Sequence, residues 1–271
     1  MNAYIIGALH FSPMIGYTGY SNYETILSKA KKDLKSFETG GLYTVLLENN
    51  YNFPHQATRE TDEAVEMMTA LVKDLMKDSD SQFGISVLFN DYTSALRIAK
   101  ETGGKFIRVP VFVDSVNTIF GTIYARPDEV IKTRQNLDAG DVKIYADIHV
   151  KHAEMLNPAK TIEESALEAV AKGADGIIIT GRITGDPPKL NDLKRSRKIA
   201  STVPILIGSG ADRNNIEQLF MFSDGAIVSS SLKEGNPVEG ERNVKPFDYH
   251  IDRAKVRDFI EMVKKIQDQP R

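Results

Sequence analysis

The sequence predicts an α/β protein, a single (β/α)8 barrel spanning residues 1–271. Three observations predict it. Short apolar runs rich in β-branched residues recur eight times along the chain, each too brief for a stable helix and bounded by Gly, Pro or Asp. Segments with helical spacing lie between them, as a parallel strand pair requires of its crossover. No Pro-, Gly- or Ser-rich linker interrupts the alternation, and 271 residues suit one α/β barrel as well as two small domains.

The elements follow in order. The first strand covers 4–9, and the helix over 23–40 places Ile26, Ala30, Leu34 and Phe37 on one face before Gly40-Gly41 stops it. The second strand is 43–47, followed by a helix over 61–77 whose stripe is Ala64, Met67, Met68, Leu71 and Leu75. The third is 83–89, and its helix over 91–102 ends at Gly103-Gly104. A fourth strand at 106–109 leads into a long polar stretch, 114–126. The fifth is 142–150. Thr161 with Glu164 then forms a capping box, satisfying free N–H groups at the start of a helix over 162–172. Strands at 176–180, 205–208 and 225–228 precede helices over 192–200, 214–222 and 252–266. The competing fold is a doubly wound open sheet, which carries a Gly-rich fingerprint after its first strand. That position reads His10-Phe11-Ser12-Pro13, which favours the barrel. The polar stretches 114–126 and 233–250 then lie at the C-terminal face, where loops carry function and act as lids.

Composition narrows the function classes. With 41% hydrophobic and 26% charged residues, the chain has the balance of a soluble globular protein rather than a disordered or coiled-coil one. Lys+Arg 34 against Asp+Glu 37 gives a charge of −3, too even for a general nucleic-acid binder but compatible with a local anion site. Cys 0 excludes disulfides, thiolate nucleophiles and Cys-ligated metals, and agrees with a reducing compartment. Residues 1–10 have no basic n-region and are too short to span a bilayer. A cytoplasmic location without an integral membrane segment is the expectation.

Barrel active sites form at the C-terminal strand ends, so the polar residues ending each run matter most. They are His10; Glu48, Asn49 and Asn50; Asn90 and Asp91; Arg108; 147–152; Thr180-Gly181; Gly208-Ser209-Gly210; and Ser229-Ser230-Ser231. Helix capping and turn chemistry account for single Asn, Asp, Ser and Thr residues. They do not account for Glu48, Arg108, Asp147, His149 and Lys151 together. In the fifth run, strand alternation puts Asp147, His149 and Lys151 on one face and Ala146, Ile148 and Val150 on the other. His152 faces away from the triplet.

This cluster is open to several chemistries. His149 is a general acid or base with its proton set by Asp147. Lys151 binds an anion or forms a Schiff base. A divalent metal held by Glu48, Asp147 and His149, with His10, is the alternative, though no close-spaced ligand motif supports it. A structural Asp147–Lys151 salt bridge is the plain reading. Acid–base use is preferred, by Asp147, His149 and Lys151 helped by Glu48.

The seventh and eighth strand ends read as a phosphate site. Glycines permit close backbone approach, successive N–H groups near a helix start attract phosphate oxygens, and these two loops hold phosphate in many barrels. The binding set is therefore Gly208, Ser209, Gly210, Ser229 and Ser230, with His10, Arg108, Thr180 and Gly181 completing the mouth. The loop through Arg182 and Pro187-Pro188 is either a rigid connector or, through Arg182, a further anion contact.

In this order, Gly7-Ala8-Leu9-His10, Glu48-Asn49, Leu88-Phe89-Asn90-Asp91, Ile107-Arg108, Asp147-Ile148-His149-Val150-Lys151-His152-Ala153, Thr180-Gly181, Gly208-Ser209-Gly210 and Ser230-Ser231-Leu232-Lys233 resemble the BtpA/SgcQ family. The resemblance covers almost the whole chain, and His-Val-Lys-His-Ala is its most specific string. The sequence departs from the family pattern at 14–16, 49–55 and Pro110. The resemblance implies a TIM barrel related to phosphate-binding barrel enzymes. It places Glu48, Asn90, Asp147, His149 and Lys151 in an active site and Gly208, Ser209, Gly210 and Ser230 in a phosphate site.

The function expected is acid–base chemistry on a small phosphorylated sugar or nucleotide-like metabolite, of isomerase, epimerase or aldolase type. The alternatives are a metal-dependent phosphate-ester or nucleotide hydrolase, and a non-catalytic assembly factor for a membrane complex such as photosystem I, a role the family name suggests. A homo-oligomer is expected for a barrel of this kind.

Overall fold

Every one of the eight predicted runs forms a barrel strand in the computed structural model, which describes residues 4–235 and 246–268. The strands are β1 (Tyr4–His10), β2 (Thr44–Glu48), β3 (Gln82–Ser86), β4 (Phe106–Val109), β7 (Lys143–Ile148), β9 (Gly176–Ile179), β10 (Ile205–Ile207) and β11 (Gly225–Val228). They run parallel in chain order, and β1 pairs with both β2 and β11 to close the ring. The predicted runs overshoot most in two places. The third ends at Ser86 rather than residue 89, and the fifth at Ile148 rather than residue 150.

Alternation along these strands builds the barrel in layers. Ala8, Leu46, Phe106, Tyr145, Ile178, Leu206 and Ile227, with Ile6 below, pack against one another as a separate apolar cluster inside the ring. The Phe106 and Tyr145 rings lie 5.1 Å apart and fill its width. Two residues further along each strand stand His10, Glu48, Arg108, Asp147, Thr180, Gly208 and Ser229. The pleat thus lays a polar ring directly on an apolar floor. The outward strand residues pack under the helices in the main core.

Among the described residues, eight helices surround the barrel: α1 (Tyr23–Thr39), α2 (Asp62–Met76), α3 (Tyr92–Thr102), α4 (Pro127–Asn136), α5 (Ile162–Ala171), α6 (Leu190–Ile199), α7 (Ile216–Leu219) and α8 (Arg253–Gln267). Side chains of Asn22, Thr61, Asp91 and Asp252 accept from backbone N–H groups at four of their starts. The capping box of Thr161 and Glu164 forms as expected. Helix α4 carries no readable stripe because Val130 alone among its residues is buried, and α7 is a single turn inside the longer predicted segment.

The stretch 114–126 is not a plain loop. It forms a hairpin of β5 (Val116–Thr118) and β6 (Gly121–Ile123), which joins β8 (Ala153–Met155) in a small antiparallel sheet. Phe89, Val111, Val116, Ile123 and Val150 form its own buried core. Of the second polar stretch, 236–245 lie outside the described residues. Among the described residues no helix is long and apolar enough to cross a membrane.

Candidate active site at the barrel mouth

The polar ring centres on Arg108. Its Nε and Nη2 donate to Asp147 Oδ1 and Oδ2 at 2.9 and 2.8 Å, and its Nη1 donates to Glu48 Oε1 at 3.3 Å. These side chains are 7%, 0% and 5% exposed. A planar guanidinium is the group that bridges two carboxylates in this way. Burial works against the Arg108 charge, but Asp147 and Glu48 outweigh it and raise the pKa further. The Asp147–Lys151 pair considered from sequence is replaced by this bidentate contact.

Glu48 also binds the His10 ring, whose Nε2 lies 3.1 Å from Oε2. Burial raises the Glu48 carboxyl, yet the His10 hydrogen bond and the Arg108 charge overcome it and hold the group at about 2. Burial, then the charge of Lys233, lower the His10 imidazole to about 4. The ring is therefore neutral at pH 7. A carboxylate only accepts, so the single ring proton sits on Nε2 and leaves Nδ1 as an acceptor, 3.5 Å from Lys233 Nζ.

Lys233 is a site residue that the candidate set does not contain. It lies at the end of a 3-10 turn, Ser230–Leu232, and is buried, with Nζ 2.8 Å from Tyr51 Oη and 5.0 Å from the Tyr51 ring centre. Burial and the charge of Lys29 lower its ammonium to about 7, against Asp33 and Glu48. Burial and Arg108 lower Lys151 from 10.5 to about 8, against Glu48 and Asp147. Two amines with substantial neutral fractions thus face one mouth.

The segment after β7 departs from the predicted alternation. His149 and His152 adopt left-handed backbone, with φ of 48° and 60°, so the strand geometry ends before the triplet is complete. His149 N donates to Asp114 Oδ2 at 3.0 Å, and Asp114 also binds Lys160 and Ser165. The His149 ring is absent from the cavity wall, and its Nε2 is buried with no partner among the described residues. Lys151 is carried back into the cavity wall with its N–H donating to Thr180 Oγ1 at 3.0 Å. His152 lines the cavity too, its Nε2 2.9 Å from Thr184 Oγ1.

Asn90 is likewise engaged away from the cavity. Its amide clips Val111, accepting from the N–H at 2.8 Å and donating to the carbonyl at 3.0 Å. Ser209 Oγ accepts from Gly181 N at 2.8 Å and donates to Asp186 O at 2.7 Å, so this hydroxyl ties two loops together. Thr180 and Gly181 likewise tie neighbouring loops, and Arg182 points outward as a partner of Asp186. Glycine is required at 208 and 210: a Cβ would stand 2.4 Å from Ile178 Cγ2 in the first case and 2.3 Å from Pro187 N in the second, where φ is also 66°.

One cavity of about 420 Å³ unites these parts, a size common for small-molecule sites. Gly208, Ser209, Gly210, Ser229 and Ser230 line it, together with His10, Glu48, Lys151 and Lys233. Ser229 Oγ is buried with no partner among the described residues. A divalent metal does not fit this donor set. Arg108 already occupies the space between Asp147 and Glu48, His149 lies elsewhere, and no three His, Asp or Glu converge as ligands among the described residues.

The lowered lysines set a pH dependence of stability. The unfolded chain binds protons at Lys151 and Lys233 up to pH 10.5, whereas the folded chain releases them near 8 and 7. Stability therefore rises from neutral pH toward 10 and is lost as pH falls through the folded values. The urea midpoint should be higher at pH 9 than at pH 6.5, and Lys233→Met should flatten that rise. An equal midpoint at both pH values would contradict the burial of these amines.

A family model described as the BtpA family matches residues 1–265. The Photosystem I biogenesis protein BtpA of Synechocystis sp. is 36% identical over 260 residues, 95% of this chain and 86% of that protein. An uncharacterized protein of Pyrococcus furiosus is 34% identical over 244 residues, 88% and 91% of the two chains. Among solved structures, N-(5'-phosphoribosyl)anthranilate isomerase from Pyrococcus furiosus aligns with a TM-score of 0.53 at 14% identity, covering 97% of this chain and 99% of that one. Likeness at that identity concerns the fold.

Proposed function

The chain belongs to the BtpA family, and from that premise we propose that it is an enzyme transferring protons on a small phosphorylated metabolite at the barrel mouth. The observation that carries this reading is the union, in one cavity, of a glycine- and serine-lined wall with the buried Lys233, the half-buried Lys151 and the Glu48–His10 pair. Ser229 Oγ and the backbone around Gly208, Ser209 and Gly210 offer donors to phosphate oxygens, and the Lys233 ammonium adds charge. Lys151 in its neutral form removes the proton from the carbon beside a substrate carbonyl; its return to the former carbonyl carbon, with a proton moving between the two oxygens, gives isomerase chemistry, and delivery of a proton to the opposite face of the same carbon gives epimerase chemistry. In the aldolase version the Lys151 amine condenses with the carbonyl, water leaves, and an imine forms.

Asp147 acts through Arg108 in this scheme, by fixing the guanidinium whose charge lowers Lys151. His149 and Asn90 hold loops. The test is a panel of phosphorylated aldoses and ketoses in deuterated water, followed by NMR, with borohydride added in parallel. Exchange of one α-hydrogen in a phosphorylated compound, and none in its dephosphorylated counterpart, is the expected result. A borohydride-stable adduct on Lys151 selects the aldolase version. No exchange, adduct or phosphate-dependent binding across the panel would overturn the reading and favour the assembly role that the Synechocystis relative's name carries.

A further inference from the structure

The cavity has a second side of different chemistry. Around the ring, β3 stands across from β10 and β4 across from β11. The loops after β2, β3 and β4 therefore face the proposed phosphate wall. They present Phe53 and His55, Phe89, and Phe120, all lining the same cavity. Phe120 is the hub, its ring centre 5.1 Å from His55, 5.7 Å from Phe53 and 5.8 Å from Phe89.

This wall is built and held. Phe120 sits at the tip of the β5–β6 hairpin, its N–H donating to Thr118 Oγ1 at 3.0 Å. Strand β5 pairs with β8, bringing Thr118 opposite Ala153, so the aromatic side is tied to the segment that carries Lys151. Phe53 is 58% exposed, a ring face left for something to cover. The phenyl rings offer no donor or acceptor to sugar hydroxyls. The one polar group among them is His55, whose Nδ1 is buried with no partner among the described residues. Burial lowers this imidazole to about 4, so the ring is neutral at pH 7 and suited to a hydrogen bond with a ring nitrogen rather than to a charge.

Resting on the phosphate reading above, we infer that the substrate is a sugar phosphate carrying a flat heteroaromatic group, of the nucleoside 5'-monophosphate class. Its phosphate lies against Gly208, Gly210 and Ser229, its ring against Phe53, His55 and Phe120, and its sugar between them beside Lys151. A plain sugar phosphate leaves the aromatic side in contact with water, and an uncharged nucleoside leaves the opposite side empty.

The test is isothermal titration of the full chain with adenosine 5'-monophosphate, cytidine 5'-monophosphate, ribose 5-phosphate, inorganic phosphate and adenosine. At least one nucleotide should bind about tenfold more tightly than ribose 5-phosphate, the increment that stacking on aromatic side chains supplies. Phe120→Ala should remove that difference and leave ribose 5-phosphate binding unchanged. Phe53→Ala, at an exposed position that burdens the fold least, should reduce it as well. Ribose 5-phosphate binding as tightly as both nucleotides overturns the inference and leaves the phosphate reading standing. Adenosine binding as tightly as its monophosphate, or no binding by any phosphate compound, overturns both.

Discussion

Replacing Arg108 by methionine is expected to destabilise the protein by about 3–5 kcal/mol, the usual cost of removing one partner of a buried ionic group. The methionine fills much of the aliphatic volume but leaves Asp147 and Glu48 without their shared counter-charge. Asp147 is hit harder, because its side chain is 0% exposed and both its oxygens bond to this guanidinium. Glu48 keeps His10 at 3.1 Å and so retains one donor. Two further variants separate charge from shape. Arg108→Lys restores a positive charge without the planar fork and should recover only part of the loss. Arg108→Met combined with Asp147→Asn removes the more deeply buried of the two unpaired charges and should be more stable than Arg108→Met alone. Urea unfolding at pH 7 reads all three. A single variant within about 1 kcal/mol of wild type, the range of an exposed ion pair, would show that the triad is not holding the mouth together.

The barrel was legible because its signal is local and repeated. Every apolar run but the fourth, four to nine residues long, is followed by a segment with helical spacing, and Gly40, Gly103 and Gly173 close three of the helices. What escaped is what lacks that signal. Helix α4 buries Val130 and little else, because its first turn begins with Pro127-Asp128-Glu129 and the rest is polar. The β5–β6–β8 sheet escaped for a different reason. Val116 pairs with Ile123 on one side and with Met155 on the other, and no short-range pattern announces a partner that far along the chain.

The site divides in the same way. His10, Glu48, Arg108 and Asp147 follow from alternation, each two residues beyond an apolar floor residue in an unbroken strand. His149 was placed by extending that alternation across Ile148, where the chain leaves the sheet. Nothing at position 149 of the sequence marks a left-handed backbone, which here is held by the His149 N–H bond to Asp114. Asn90, Thr180 and Ser209 have the right polarity at strand ends, but their hydrogen-bonding capacity goes to Val111, Lys151, Gly181 and Asp186. Lys233 and Tyr51 were the residues missed. Both come from loops and meet at 2.8 Å only because β1, β2 and β11 are neighbours in the closed ring. The floor and its polar ring are thus written in the strands, whereas the functional lysines depend on how the loops return.

Lys151→Met is expected to lower turnover of the phosphorylated substrate by about 10²–10⁴-fold, the range assigned to a positioned acid–base group, while leaving phosphate-dependent binding in place. Methionine keeps the length of the side chain and removes the amine. The wild-type rate should rise with pH through about 8, since Lys151 must lose its proton to act as a base and its folded value lies there. Lys151→Arg stays charged across that range and should not restore activity. Lys233→Met gives the contrast: it removes a charge from the cavity without touching the proposed base, so it should raise KM far more than it lowers kcat. An observation independent of substrate supports the same assignment. Competitive acetylation followed by mass spectrometry should give Lys151 a labelling midpoint near 8, far below the ordinary 10.5, provided the amine reacts from within the open mouth. The decisive comparison is between the two variants. If Lys151→Met turns over substrate at the wild-type rate while Lys233→Met is inactive, the base is Lys233, poised between Tyr51 and the Nδ1 acceptor of His10. If both variants are fully active, proton transfer at this mouth does not run through its amines, and the Glu48–His10 pair becomes the group to replace next.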